Sequence, residues 1–192
     1  MKRLRPFALA VLAFVALATA ATRAQETVPT PTPNPLIYND PAMNFQAPPD
    51  AVLLALQPYD PKYLSSDIQP LAAWGINIKQ RDGAKVIKIE MENFAGDTKS
   101  WEGRYESQAR EKGDIMIRGV TPTSLSNGMP AYFMEITSGN GLETIKQFVV
   151  CWSDGARGVA LSVTARLGDI DAAGSKVIFS TATAVRYPSN QP

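Results

Sequence analysis

Histidine is absent from the 192 residues, and cysteine occurs once, at position 151. The first absence removes the commonest general base near neutral pH, the Ser-His-Asp and Cys-His arrangements, and the commonest zinc ligand. The second means that no disulfide can close within the chain, so stability must come from an ordinary hydrophobic core. A chain of this size has enough residues to build one. Cys151 lies between Val150 and Trp152, with no base or cation beside it to hold a thiolate, and reads as a buried structural thiol. The chain also lacks the run of about 20 apolar residues that a membrane-spanning helix needs.

A shorter apolar run is present at the N-terminus. Lys2, Arg3 and Arg5 precede an uninterrupted apolar stretch over 7–18, followed by small residues. This is the layout of a cleavable secretory signal. Ala18-Thr19-Ala20 and Ala24 both offer a cleavage point, and Ala24 is taken here, so 1–24 is expected to be removed. The remaining chain is then expected to be exported, to the periplasm or the medium, with no stable membrane insertion. Lys2, Arg3, Arg5 and Arg23 leave with the signal, so 15 of the 19 basic residues remain against 18 acidic ones, a net charge of −3. The slight basicity of the whole chain therefore belongs to the signal. The remainder has no basic stripe, and no nucleic-acid partner is expected.

Pro29, Pro31, Pro33 and Pro35 alternate with Thr and Asn, so 25–35 reads as an extended tether with nothing to bury. A folded domain is expected over 36–188, with a tail at 189–192. Ile37-Tyr38 and Met43-Asn44-Phe45 flank Asn39-Asp40-Pro41 as an opening strand pair, and 51–56 is a third apolar run. The stretch 59–73 mixes Pro, Ser and Asp and has no assignment. Trp74, Ile76 and Ile78 then alternate with polar residues, Asp82-Gly83 supplies a turn, and Ile87, Ile89 and Met91 continue the alternation, which predicts a hairpin.

Between Asp97 and Gly113 the period changes. Trp101, Tyr105 and Ala109 are spaced four apart and Glu106 stands four before Arg110, which predicts a helix capped by Asp97 or Thr98 and closed at Gly113. Four strands follow over 115–125, 131–137, 145–152 and 158–166, joined at Asn127-Gly128, Asn140-Gly141 and Asp154-Gly155. A two-residue turn at Asp154-Gly155 would set Val150 opposite Val159 and Phe148 opposite Leu161. One face would then carry Phe148, Val150, Val159, Leu161 and Val163. The other would carry Val149, Cys151, Ala160 and Ser162 beside Tyr132, Met134 and Ile136, which is too apolar for open solvent. Helices are therefore expected on both faces: an α+β domain, an α/β/α sandwich around a central antiparallel sheet. The last segment fits both a strand (Val177, Phe179, Thr181, Val185, Tyr187) and a helical face (Ile170, Ala173, Val177, Ile178, Ala184). Asp169 or Asp171 as a cap and Pro188 as a stop favour the helix.

Taken together, Ile37-Tyr38-Asn39-Asp40-Pro41 with Phe45 and Pro48, the helix near Trp101, and Gly128-Met129-Pro130-Ala131 before a strand meander and closing helix resemble the fold of the photosystem II extrinsic protein PsbP and a Ran-binding nuclear import factor. The resemblance spans 36–187 and implies a sheet with helices on both faces. It implies roles in assembly or partner binding more than catalysis. The segment 57–73 departs from it in being poor in helix formers.

Few residues invite chemistry. Asp169-Ile170-Asp171-Ala172-Ala173-Gly174 begins like a calcium loop, but Ala173 replaces an oxygen ligand and Ser180 stands where the acidic twelfth ligand would be, so both aspartates read as helix caps. The glycines of 139–141 and 155–158 lie between strands and make hairpin turns, not phosphate cradles. Neither a metal nor a cofactor is expected. Trp101, Arg104 and Tyr105 on the middle helix form a candidate interaction patch, set against a reading in which both rings pack on the sheet and Arg104 is solvated. The function expected is a non-enzymatic exported module that binds a protein or cell-envelope component. The alternatives are a carrier of a small apolar ligand and a hydrolase with a carboxylate dyad.

Overall fold

In the computed structural model the described residues are 34–56, 68–80, 82–111, 115–139 and 144–185. The proposed signal, most of the tether, the stretch 57–67, Gly113, Asn140-Gly141, Tyr187, Pro188 and the tail 189–192 lie outside them. The described residues belong to one unit spanning Pro33–Pro192.

Among the described residues, ten strands form two antiparallel sheets. In the smaller, β1 (Ile37–Asn39) and β10 (Thr183–Ala184) flank β2 (Met43–Gln46). The tight β1–β2 turn is held by Asp40, whose Oδ1 accepts the backbone N–H groups of Ala42 and Met43 and whose Oδ2 accepts the Tyr38 hydroxyl. Such local capture of backbone donors is what makes Asp a turn residue.

The larger sheet has seven strands in the order β3 (Val52–Leu53), β4 (Gln69–Ile76), β5 (Lys85–Asn93), β9 (Arg157–Arg166), β8 (Ile145–Ser153), β7 (Pro130–Ser138) and β6 (Ile115–Ser124). Period-two alternation sends its apolar residues to two faces. Trp74, Ile87, Ile89, Phe133, Phe148, Val150, Leu161 and Val163 meet Phe179 of helix α2 (Ala172–Phe179) together with Met43 and Phe45 of the small sheet. Met134, Ile136, Val149, Cys151 and Ala160 meet Trp101 and Tyr105 of helix α1 (Thr98–Glu111). Helices therefore cover both faces, and the α+β sandwich expected from the double-sided apolar pattern is the fold.

The β8–β9 register differs from the expected one by two residues. Val150 lies opposite Leu161 and Phe148 opposite Val163, because the connection spans four residues and Ser153 pairs with Gly158. Asp154 is the reason. Its Oδ1 accepts the N–H groups of Ala156 and Arg157, its Oδ2 receives the Arg157 guanidinium, and Gly155 takes the left-handed backbone (φ 92°) that the turn needs. A shift of two keeps every side chain on its face, so the sorting into two cores survives the change.

The closing segment is a helix and then a strand. Asp171 caps α2 by accepting the Gly174 N–H at 2.7 Å. Asp169 does not cap the helix; it accepts the Gly83 N–H from the β4–β5 connection at 3.1 Å. The buried side of this segment is Ile170, Ser175, Phe179, Ala182 and Ala184, while Ala173 and Val177 face outwards. Asn127, in the β6–β7 turn, donates to the Ala184 carbonyl at 2.6 Å and ties β10 to the sheet.

Candidate functional site

Helix α1 begins where Asp97 accepts the Ser100 N–H at 2.7 Å. From there its inward side chains land on the β5, β9, β8 and β7 strands. Trp101 is fully buried over Gly158, and its indole N–H donates to the Val159 carbonyl at 3.0 Å. Tyr105 is buried as well, with its ring edge on to Trp101 and its hydroxyl donating to Glu90 Oε2 at 3.0 Å. Arg104 sits at the helix flank with its side chain 40 % exposed and grips Glu92 with two nitrogens, at 2.9 and 2.6 Å. The two rings expected in an interaction patch are thus packed on the sheet, and Arg104 is held by an ion pair and not simply solvated.

Glu90, Glu92, Glu102 and Gln108 carry what the sequence reading missed: a buried polar layer between α1 and the sheet. Glu90 is held by Lys88 at 2.7 Å as well as by Tyr105. Glu92 takes the Gln108 amide at 3.4 Å besides Arg104. Glu102 meets Lys99, whose ammonium also lies 4.9 Å from the Tyr132 ring centroid, and the hydrogen bond to Glu102 raises the Lys99 pKa. Buried carboxylates are tolerated when cations and hydrogen bonds surround them. The signal was there in Lys88-Ile89-Glu90-Met91-Glu92, where the two glutamates share one strand face, and in Arg104 and Gln108, four apart on α1.

Beside this layer a cavity of about 310 Å3 opens between the last turns of α1 and the sheet, with Lys88, Glu90, Gln108, Gln147 and Thr164 among its walls. Gln108 Oε1 is buried there without a hydrogen-bond partner. Further along the same face α1 no longer covers the strands. Val52 and Val86 flank Gly75 in register, Ile78 folds back over Gly75, and all three side chains are exposed, by 59 %, 38 % and 44 % for Val52, Val86 and Ile78.

Cys151 lies under α1 and is fully buried. Burial, and after it the Glu102 charge, pushes its thiol from an ordinary 9.0 up to about 12. The folded thiol keeps its proton where the unfolded one has lost it, so this contribution to stability is complete below the unfolded value of 9.0 and is lost as the pH rises towards about 12. Iodoacetamide at mildly alkaline pH is expected to leave the folded protein unmodified and to label Cys151 fully after denaturation in guanidinium. Labelling of the folded protein at the rate of a free thiol would contradict this burial.

Among the described residues no group of three or more Cys, Asp or Glu side chains is placed to hold a metal ion, and no helix is long and apolar enough to cross a membrane. No protein-family model and no curated protein matches the chain. Among solved structures it is similar to the crystal structure of LpqN, involved in cell envelope biogenesis of Mycobacterium tuberculosis. The TM-score is 0.50 and the identity 16 %, covering 77 % of this chain and 87 % of that one. A likeness at this identity is one of fold.

Proposed function

We propose that this chain is an exported, non-enzymatic module that binds a protein or cell-envelope component, and that it does so on the sheet face beside α1. The observation that carries the reading is the part of that face which α1 leaves open: exposed Val52, Ile78 and Val86 next to a polar cavity. Exposed aliphatic side chains grouped beside polar walls are the usual composition of a docking surface. Glu90, Glu92 and Glu102, the buried carboxylates beneath α1, are each engaged by a cation and, for Glu90 and Glu92, by α1 side chains, which favours a structural role for them over service in a hydrolase. The signal-like N-terminus and the fold shared with an envelope-biogenesis protein support export and an envelope setting. The order of elements supports placing the domain with PsbP-like sandwiches.

A photo-crosslinking side chain at Val52 or Val86, introduced into the full chain in its own cells, tests the site. A discrete adduct from these positions is expected, with none from Val177 on the opposite face. Adducts only from Val177, or none from any position, would remove the assignment. Export is tested separately: the periplasm or medium should hold a chain shortened at the N-terminus, and a full-length chain in the cytoplasm would refute it.

A further inference from the structure

The opposite face of the sheet carries a second cavity, of about 300 Å3, between α2 and the β6–β7–β8 strands. Its floor is apolar and aromatic. Phe133, Val150 and Phe179 line it and are buried, as is Leu125. The Phe133 ring is edge on to Phe179 at 6.4 Å and stacked on Phe148 at 5.7 Å, so the floor is braced from below. Its rim is polar. The Ser126 and Ser180 hydroxyls donate to the Ala182 and Val177 carbonyls, which fixes both oxygens in place. Among the described residues Lys176 is the one cation on the rim, with its ammonium 5.4 Å from the Phe133 ring centroid. Among the described residues it takes part in no ion pair.

We propose that this cavity binds a small aromatic monocarboxylate, its ring on Phe133, Val150 and Phe179 and its carboxylate against Lys176. Burial of a ring against an apolar floor supplies a non-directional attraction, and edge or offset contacts with Phe133 and Phe179 select a flat ring over a puckered one. The ammonium sits over the Phe133 face, where the ring quadrupole holds it at the cavity mouth and leaves its outer N–H donors for a carboxylate. A phosphate or other inorganic anion would find the cation but leave the floor empty. A neutral ring would fill the floor and leave the cation unmatched. The size lies at the lower end of small-molecule sites, which suits a single ring with a short acid chain. This site is on the far side of the sheet from the proposed docking face, so neither assignment depends on the other.

The test is a titration of isotopically labelled full chain with phenylacetate, phenylacetamide and cyclohexylacetate, followed by amide resonances, with Lys176→Met alongside. Lys176 is exposed, so this variant keeps the packing beneath it. Saturable shifts are expected at Leu125, Lys176, Phe179 and Ser180. Phenylacetate should bind about five-fold more tightly than phenylacetamide, the scale of one rim-exposed ion pair, and Lys176→Met should erase that ratio. Absence of saturable shifts at these amides would overturn the proposal, as would a ratio unchanged in Lys176→Met. Cyclohexylacetate binding as tightly as phenylacetate would overturn the aromatic preference.

Discussion

Replacing Trp101 by alanine should lower the unfolding free energy by about 4 kcal/mol, within the range for a fully buried aromatic side chain. The indole is the anchor of α1. It fills the space over Gly158, donates to the Val159 carbonyl, and contacts the Phe94 and Tyr105 rings at 5.3 and 6.0 Å. Removing it opens a cavity and leaves that carbonyl without its indole donor. Gly158 is the matching half of the contact: a Cβ there would lie 2.2 Å from Trp101 Cδ2, so even alanine must displace a buried ring. Gly158→Ala is expected to cost about 3 kcal/mol, the upper range for overpacking. The two changes relieve each other, since the alanine methyl at position 158 enters the space the indole vacates. The double variant should therefore lose clearly less than the sum of the single losses. Urea denaturation of the four proteins reads this coupling; additive losses, or a Trp101→Ala loss below about 2 kcal/mol, would show that the ring does not anchor the helix.

How far the fold was readable follows from which interactions are local. Alternation along β8 and β9 sorted side chains between two apolar faces, and two apolar faces require two covering layers, so helices on both sides could be inferred without knowing their placement. The helix over 98–111 announced itself through Trp101, Tyr105 and Asp97. The β8–β9 turn is not legible locally because Asp-Gly is the pair of a two-residue hairpin, whereas Asp154 captures two further N–H groups and the Arg157 side chain. The strand-like alternation of Val177 and Phe179 lies within α2, while the strand that follows, β10, is two residues long and too short to show a period. The polar layer under α1 was hidden for a different reason. A strand reading Lys-Ile-Glu-Met-Glu has the pattern of a strand with one solvated face, and only the helix lying across it turns Glu90 and Glu92 inwards. No local rule joins Arg104 to Glu92 or Tyr105 to Glu90; that pairing comes from the tertiary fold.

The Arg104–Glu92 pair predicts an asymmetry. Glu92 is 4 % exposed while Arg104 keeps 40 % of its side chain in solvent, so the two partners lose unequally when the other is removed. Arg104→Met leaves a buried carboxylate whose remaining hydrogen bond among the described residues is the 3.4 Å contact from Gln108, and an uncompensated buried charge costs about 3 kcal/mol or more. Glu92→Gln leaves a guanidinium that can turn to water and keeps an amide oxygen to accept from it, so about 1 kcal/mol is expected. The paired change Arg104→Met with Glu92→Met removes both charges and puts apolar stems against α1, and should return stability to within about 1 kcal/mol of the native chain. Chemical denaturation of the four proteins at neutral pH measures all three values. If Arg104→Met costs no more than Glu92→Gln, the pair behaves as a solvated surface bridge, and the layer beneath α1 owes its stability to packing around Trp101 and not to its charges.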